Sequence, residues 1–400
     1  MINFLFILLM GIVAGSFTGM IPGLHINLIS ALLVSNISLF GDIASVQHIS
    51  VFIISMSVTH TFVDSIPGIY LGAPDISQFL TALPGHKMFL EGKAHYAVKL
   101  TLVGSLFGLF FSLSLLALFS IVIFIIYDYL QNFIGIILIL ISIFIILDLN
   151  SFLKTFNRLL FFLISGTYGA IIFNIDKLSN PMFHMLSGFF GLSILLESLK
   201  SKTKPVKQEL TSEINYNNTI FTTFISSISG FFAAFMPGFS TSQNAVVLSK
   251  IFKNLKEDDF LILLGGLNTA GMVASLASFY SLNRARNGSI IAIQTILGSL
   301  DINFFIILVL VILISGLIAL IIAIKLSKFM AKILSFVDYR KLIFTVIFSI
   351  ITISIIFDGV MGFAILFFCT FTGLSASHKG VSKNYLMGCI MLPVIFYFIF

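Results

Sequence analysis

Long, unbroken apolar runs dominate the chain. Ile302–Ile324 and Leu100–Ile126 are each long enough to cross a hydrocarbon core, which takes about 20 apolar residues per helix. Similar runs lie at Phe133–Leu147, Leu159–Phe173 and Phe183–Leu199, and again at Leu342–Phe357, Gly362–Ser375 and Tyr385–Phe400. In lipid only helices and closed barrels satisfy their own backbone polar groups. A barrel requires alternating polarity, so continuous runs predict helices. The expected fold class is an all-α polytopic membrane protein.

The order of the runs repeats. Gly15-Ser-Phe-Thr-Gly-Met-Ile-Pro22-Gly23-Leu-His25-Ile-Asn27 aligns with Gly230-Phe-Phe-Ala-Ala-Phe-Met-Pro237-Gly238-Phe-Ser240-Thr-Ser242 at one constant offset. Each Pro-Gly pair falls inside an apolar stretch. Proline removes an amide donor and clashes with the preceding turn, so each pair predicts a helix broken within the membrane. A stretch with polar insertions follows each motif (His48–Pro67; Phe260–Leu282), with Asn268-Thr269-Ala270-Gly271 expected to interrupt the second. Then come a long span and three shorter ones, with Asp148 and Asp358 closing equivalent spans. The expected organisation is a membrane repeat over residues 1–199, a polar linker over 200–218 and a second repeat over 219–400, all in one membrane domain. Each repeat is read as a broken re-entrant hairpin plus about five transmembrane helices.

Loop charge sets the orientation. Gly41–Gln47 carries no Lys or Arg, whereas its counterpart carries Lys250, Lys253 and Lys256. Asp128–Asn132 carries none, against Lys325, Lys328, Lys332, Arg340 and Lys341. The bias then flips, with Lys154 and Arg158 against a basic-free Asp358–Met361 turn. Loops basic in one half and poor in the other are the pattern of inverted-topology repeats. Threading the chain this way puts both termini on the extracytoplasmic side of the cell membrane, with Arg284 and Arg286 near the outer face as the one discord.

Composition agrees with this frame: 58% of the 400 residues are hydrophobic and 10% charged, too apolar for a soluble domain. The net charge of +6 is spread over short loops, which argues against nucleic-acid binding. Cys369 and Cys389 lie in apolar runs and read as packing residues. No metal-binding histidine spacing, nucleophile motif or phosphate loop is present, so neither an enzyme nor a resident cofactor or metal is expected. The N-terminus has no basic residue before Lys87, unlike a signal peptide, so Met1–Phe40 is read as part of the mature protein.

Broken backbone at membrane depth is costly unless it lines a polar cavity or is buried in protein, so two equivalent breaks point to a central site. Half-helix N-termini there would favour a carboxylate or phosphate. Gly23, His25 and Asn27 from the first motif and Gly238, Ser240, Thr241, Ser242 and Asn244 from the second are the candidate substrate-binding residues. N-capping of the broken helices is the simpler role for the same side chains. His60, Asp64, Asn268 and Thr269 are candidates for a coupling ion, sodium or proton. A carboxylate within a span is functional, or else sits in a hydrated, broken segment near an interface. Arg284 and Arg286 are candidate anion clamps, or ordinary loop charges.

The duplicated Gly-x3-Gly-x2-Pro-Gly type motif resembles the TctA-type permease family of the tripartite tricarboxylate transporters. The run Pro22-Gly23-Leu24-His25-Ile26-Asn27 is most similar to the archaeal branch. The resemblance implies a secondary transporter of an organic anion driven by an ion gradient. It also implies a small membrane subunit and an extracytoplasmic binding protein as partners, besides membrane lipid. A polyprenyl-phosphate translocase is the alternative, since such families also use duplicated re-entrant segments and a lipid phosphate would use the same half-helix amides.

Overall fold

The computed structural model describes residues 2–21, 26–35, 45–72, 82–148, 150–176, 178–200, 207–211, 214, 218–236, 238–252, 255–334, 336 and 339–400. Among these residues the regular structure is helical and no strand forms. The first half contains α1 (Ile2–Met20), α2 (Ile26–Ser35), α3 (Val46–Val63), α4 (Ser65–Leu71), α5 (Ala82–Leu90), α6 (Ala94–Leu130), α7 (Ile134–Ile146), α8 (Phe152–Ile172), α9 (Pro181–Leu186) and α10 (Ser193–Lys200). The second contains α11 (Thr219–Phe235), α12 (Thr241–Ile251), α13 (Glu257–Leu282), α14 (Gly288–Leu297), α15 (Ile302–Ile333), α16 (Tyr339–His378) and α17 (Gly388–Ile399). A π turn, Ser187–Leu192, joins α9 to α10. Seven described helical segments are long and apolar enough to cross a membrane. The protein is a multi-pass, all-α membrane protein.

Two of those segments exceed one crossing. Ala94–Ile146 has 53 residues, roughly 80 Å of helix against a core of about 30 Å. It breaks at a 3-10 turn, Gln131–Phe133, beyond which α7 has different neighbours from α6. The helix α16 reverses at Asp358 (φ −134°, ψ 19°) and Gly359 (φ 57°, ψ −140°). Gly362 consequently packs against the carbonyl of Ser354, which a straight helix would hold two turns away. Its two arms form a hairpin.

Neighbours follow the same order in both halves. The helix α1 packs along α3 as α11 packs along α13, and α6 lies along α13 as α15 lies along α3. Gly15 sits against Met56 and Gly230 against Gly271, a pairing with the same spacing in each half. The final helices are exchanged: α17 packs on α7 and α8, while α9, the π turn and α10 pack on the α16 hairpin.

Close backbone approach holds the centre together. At the α6–α13 crossing, a Cβ on Gly104 would overlap the Ile262 carbonyl, and one on Gly265 the Thr101 carbonyl. Between membrane helices the gain comes from such packing and from bonds like Ser105 Oγ to the Gly265 carbonyl, 3.3 Å. The buried apolar residues form two clusters, one around α1, α3, α6, α13 and α15, the other around α7, α8, α12, α16 and α17. Cys369 and Cys389 are free and buried in the second. Part of the polar stretch between the halves is docked. Gln208 accepts from the Ala94 N–H and donates to the Phe89 carbonyl, both at 3.0 Å.

Between α7 and α8, Asp148 pairs with Arg158 at 2.9 Å. The Asn150 N–H, together with Arg158 and Lys154, holds the Asp148 carboxyl below the usual range against the opposing effect of burial. The guanidinium of Arg158 lies 5.2 Å from the Tyr385 ring, ahead of α17. Lys250, at the end of α12, donates to the carbonyls of Phe144 (3.0 Å), Ile145 (2.5 Å) and Leu147 (3.1 Å). A cation on the unsatisfied carbonyls of a helix C-terminus is favourable, and here it pins α12 to α7.

Candidate functional site

The second Pro-Gly motif separates α11 from α12. Gly238 takes φ +75°, a region open to glycine without steric cost, and Pro237 lies outside the described residues. Ser240 then caps α12. Its Oγ accepts from the Gln243 N–H (3.3 Å) while the Gln243 side chain accepts from the Ser240 N–H (2.7 Å). This reciprocal capping box satisfies two amides at the helix start. Asn244 donates to the Ser229 carbonyl at 2.9 Å, tying α12 back to α11. Capping is therefore a role of this motif, and it presents the N-terminus of α12 to open space. The first motif separates α1 from α2, but Pro22, Gly23 and His25 lie outside the described residues.

A cavity of about 470 Å³ lies at these breaks. Three short helices begin on its wall: α2 at Ile26 and Asn27, α12 at Ser240 and Thr241, and α14 at Asn287 and Gly288. Asn287 caps α14 by accepting from the Ser289 N–H at 3.0 Å. Gly288 lets α14 meet α2, since a Cβ there would strike the Asn27 side chain. Arg286 also lines the cavity; its guanidinium donates to Tyr127 Oη at 2.8 Å. Helix N-termini and a guanidinium on one cavity make a setting for an anion.

On the same cavity sit His60, Asp64 and Asn268. Asp64 lies between α3 and α4 with helical angles (φ −60°, ψ −22°), and Pro67 explains the gap in the hydrogen-bond ladder: it cannot donate to the Val63 carbonyl. The Asp64 carboxylate, 2% exposed, accepts from the Asn268 amide at 3.1 Å. That amide also lies 3.3 Å from the Thr61 carbonyl. His60 Nδ1 is 3.0 Å from Thr18 Oγ1 on α1. A buried carboxylate with a neutral amide partner is suited to a small cation.

Of the residues singled out in the sequence, the cavity wall brings together Asn27, Gly238, Ser240, Thr241, Asn244, His60, Asp64, Asn268 and Arg286. Ser242 is buried outside that lining, and Thr269 turns back to donate to the Gly265 carbonyl at 3.2 Å. Arg284 is exposed and lies over the Tyr127 ring at 5.2 Å, also outside the lining. One expectation is corrected. Asn268–Gly271 does not interrupt its helix, for α13 runs unbroken from Glu257 to Leu282. It contains no proline, and the polar side chains bond to their own or neighbouring helices. The start of α14 went unread, although Asn287-Gly288-Ser289 is a legible capping signal. Among the described residues, no cluster of His, Cys, Asp and Glu fit to hold a metal occurs.

Comparison with known proteins follows this geometry. The family model described as the tripartite tricarboxylate transporter TctA family matches residues 5–388. A protein of Methanocaldococcus jannaschii described as uncharacterised is 30% identical over 409 aligned positions, covering all of both chains. No solved structure matches.

Proposed function

The chain belongs to the tripartite tricarboxylate transporter TctA family, and from that premise we propose that it is the permease for a small organic anion such as a di- or tricarboxylate, driven by an ion gradient. Members of the family are transporter components rather than enzymes, and they work with other subunits and a substrate-binding protein. The observation that carries the reading is the shared wall of one cavity. The starts of α2, α12 and α14 and the Arg286 guanidinium surround space also faced by Asp64. The anion meets Asn27, Thr241 and Arg286. The coupling ion, sodium or proton, is held at Asp64 by Asn268 and His60. The matched neighbour order of the two halves supports inverted repeats, and alternation of loop charge supports both termini outside the cell. The partners in this reading are a small membrane subunit and an extracytoplasmic binding protein.

Thermal stabilisation of the purified protein tests the substrate class. Citrate, other tricarboxylates and dicarboxylates are compared with and without sodium, beside a polyprenyl phosphate. A ligand at 100-fold its dissociation constant stabilises by about 2.7 kcal/mol. A carboxylate shift is the expected result. A shift with the polyprenyl phosphate alone would move the assignment to lipid-carrier translocation.

A further inference from the structure

The chain leaves α13 through Asn283, whose φ of 52° lies in the left-handed region that asparagine tolerates. The four residues that follow are held by side chains from α13 and α14. Ser278 Oγ donates to the Arg284 carbonyl at 2.6 Å, and Gln294 Oε1 accepts from the Ala285 N–H at 3.0 Å. Ser275 Oγ accepts from the N–H of Arg286 at 3.2 Å and from that of Asn287 at 2.9 Å. The backbone that carries Arg286 to the cavity wall is therefore fixed before anything binds.

The Arg286 side chain is held separately. Tyr127, near the end of α6, is 4% exposed and lies outside the cavity lining. Its Oη accepts from Arg286 Nη2 at 2.8 Å and from Arg284 Nη1 at 3.0 Å. Arg284 adds a longer bond to Gln131 Oε1, 3.4 Å, and its guanidinium lies 5.2 Å from the Tyr127 ring centre. Two guanidiniums on one oxygen repel each other, yet no ion pair among the described residues involves either arginine. The bond to Tyr127 uses one donor of the Arg286 guanidinium, and the others make no bond among the described residues.

The identity of the anchor matters. A carboxylate in place of Tyr127 would hold Arg286 and cancel its charge. A hydroxyl holds it and leaves that charge, with a free edge of donors, for a carboxylate entering the cavity. Ordering a long side chain during binding costs affinity, and a side chain held beforehand avoids that cost. The second arginine raises the positive potential from behind the wall, so the pair favours an anion over a neutral ligand.

We propose that Tyr127 is a positioning residue for the anion site: its hydroxyl holds the Arg286 guanidinium at the cavity wall, with its charge uncancelled, where a carboxylate of the substrate meets it. The role in substrate binding rests on the transport reading of the cavity; the holding of Arg286 does not. Tyr127→Phe tests both, since it removes the oxygen and keeps the ring beneath Arg284. The chain has four arginines, so nuclear magnetic resonance of arginine-labelled protein in lipid nanodiscs can follow each, with the Arg286 signal assigned by its loss in Arg286→Ala. The Arg286 guanidinium should rotate slowly in the wild type and fast in Tyr127→Phe; equal rotation in the two overturns the proposal. Citrate-induced thermal stabilisation reads the binding. Tyr127→Phe should raise the half-saturating citrate concentration about three- to tenfold, the cost of ordering one long side chain anew. Arg286→Ala should raise it further, and adding Tyr127→Phe to that variant should change nothing more. Unchanged citrate affinity in Tyr127→Phe, or an equal loss with and without Arg286, overturns the positioning role. If citrate stabilises none of these proteins while the Arg286 signal still responds to Tyr127→Phe, the carboxylate reading falls, the binding role falls with it, and the holding of Arg286 stands.

Discussion

The segment α3–α4 and the helix α13 occupy corresponding places yet handle polar groups differently. Each apolar segment has 26 residues, buried over 94% and 89% of its most apolar window, against 17–67% for the other five spans. In α3–α4, Pro67 withholds one backbone donor while the helical path continues through Asp64 (φ −60°, ψ −22°), and that carboxylate faces the cavity beside the missing bond. In α13 every bond of the ladder is available, and Asn268 supplies an amide to Asp64 and to the Thr61 carbonyl of its partner. The difference teaches that one missing backbone donor is enough to set a carboxylate beside the cavity when an intact neighbour supplies its amide. A polar group at membrane depth needs a bonded partner; it does not need its own helix opened.

Substitutions can break that comparison, and the largest effect is expected in the intact member. Gly265→Leu forces a side chain onto the Thr101 backbone, which cannot yield, so no monodisperse protein should survive size-exclusion chromatography. Next, Asp64→Asn should leave folding intact and reduce citrate uptake by the assembled transporter to background; wild-type uptake would remove Asp64 from ion coupling. Pro67→Ala should go the other way for stability. An uninterrupted helix recovers part of the roughly 3 kcal/mol that an interior proline costs, so the melting temperature rises while uptake falls. Asn268→Ala should cost about 1–3 kcal/mol, because the Asp64 carboxylate loses a buried donor. A thermal melt measures it, and a neutral result would mean that water replaces the amide. The smallest change belongs to Lys87→Ala. Its ion pair with Glu257 at the start of α13 is 2.7 Å long but exposed, so water and salt screen it and a thermal melt should show the smallest shift of the series.

The apolar runs made the fold class legible, and the Pro-Gly pairs located the breaks because proline's missing donor acts locally. The same local logic makes Asp64 readable, through Pro67. It fails for Thr269 and Ser242. A helix buried on nearly all sides has no polar face against which to set a direction, so the sequence does not say which neighbour a side chain meets. Treating Asn268–Gly271 as an interruption mistook polarity for a break. The contribution of α14 was missed because its N-terminus reaches the cavity only through tertiary packing against α2. His184 Nε2 lies 2.6 Å from Asp358 Oδ2, yet the two are far apart in sequence, and only the exchange of final helices brings them together.

That exchange has a consequence for how the protein is made. While the first half is being synthesised, α9 and α10 emerge without the α16 hairpin on which they finally rest. Likewise α7 and α8 wait for α17, which ends the second half. Neither half can bury its closing surfaces alone, so final packing is deferred until nearly the whole chain has been inserted. A chain interrupted before α16 would hold membrane helices whose polar residues, His184 among them, have no partner, which is a form that quality-control proteases can recognise.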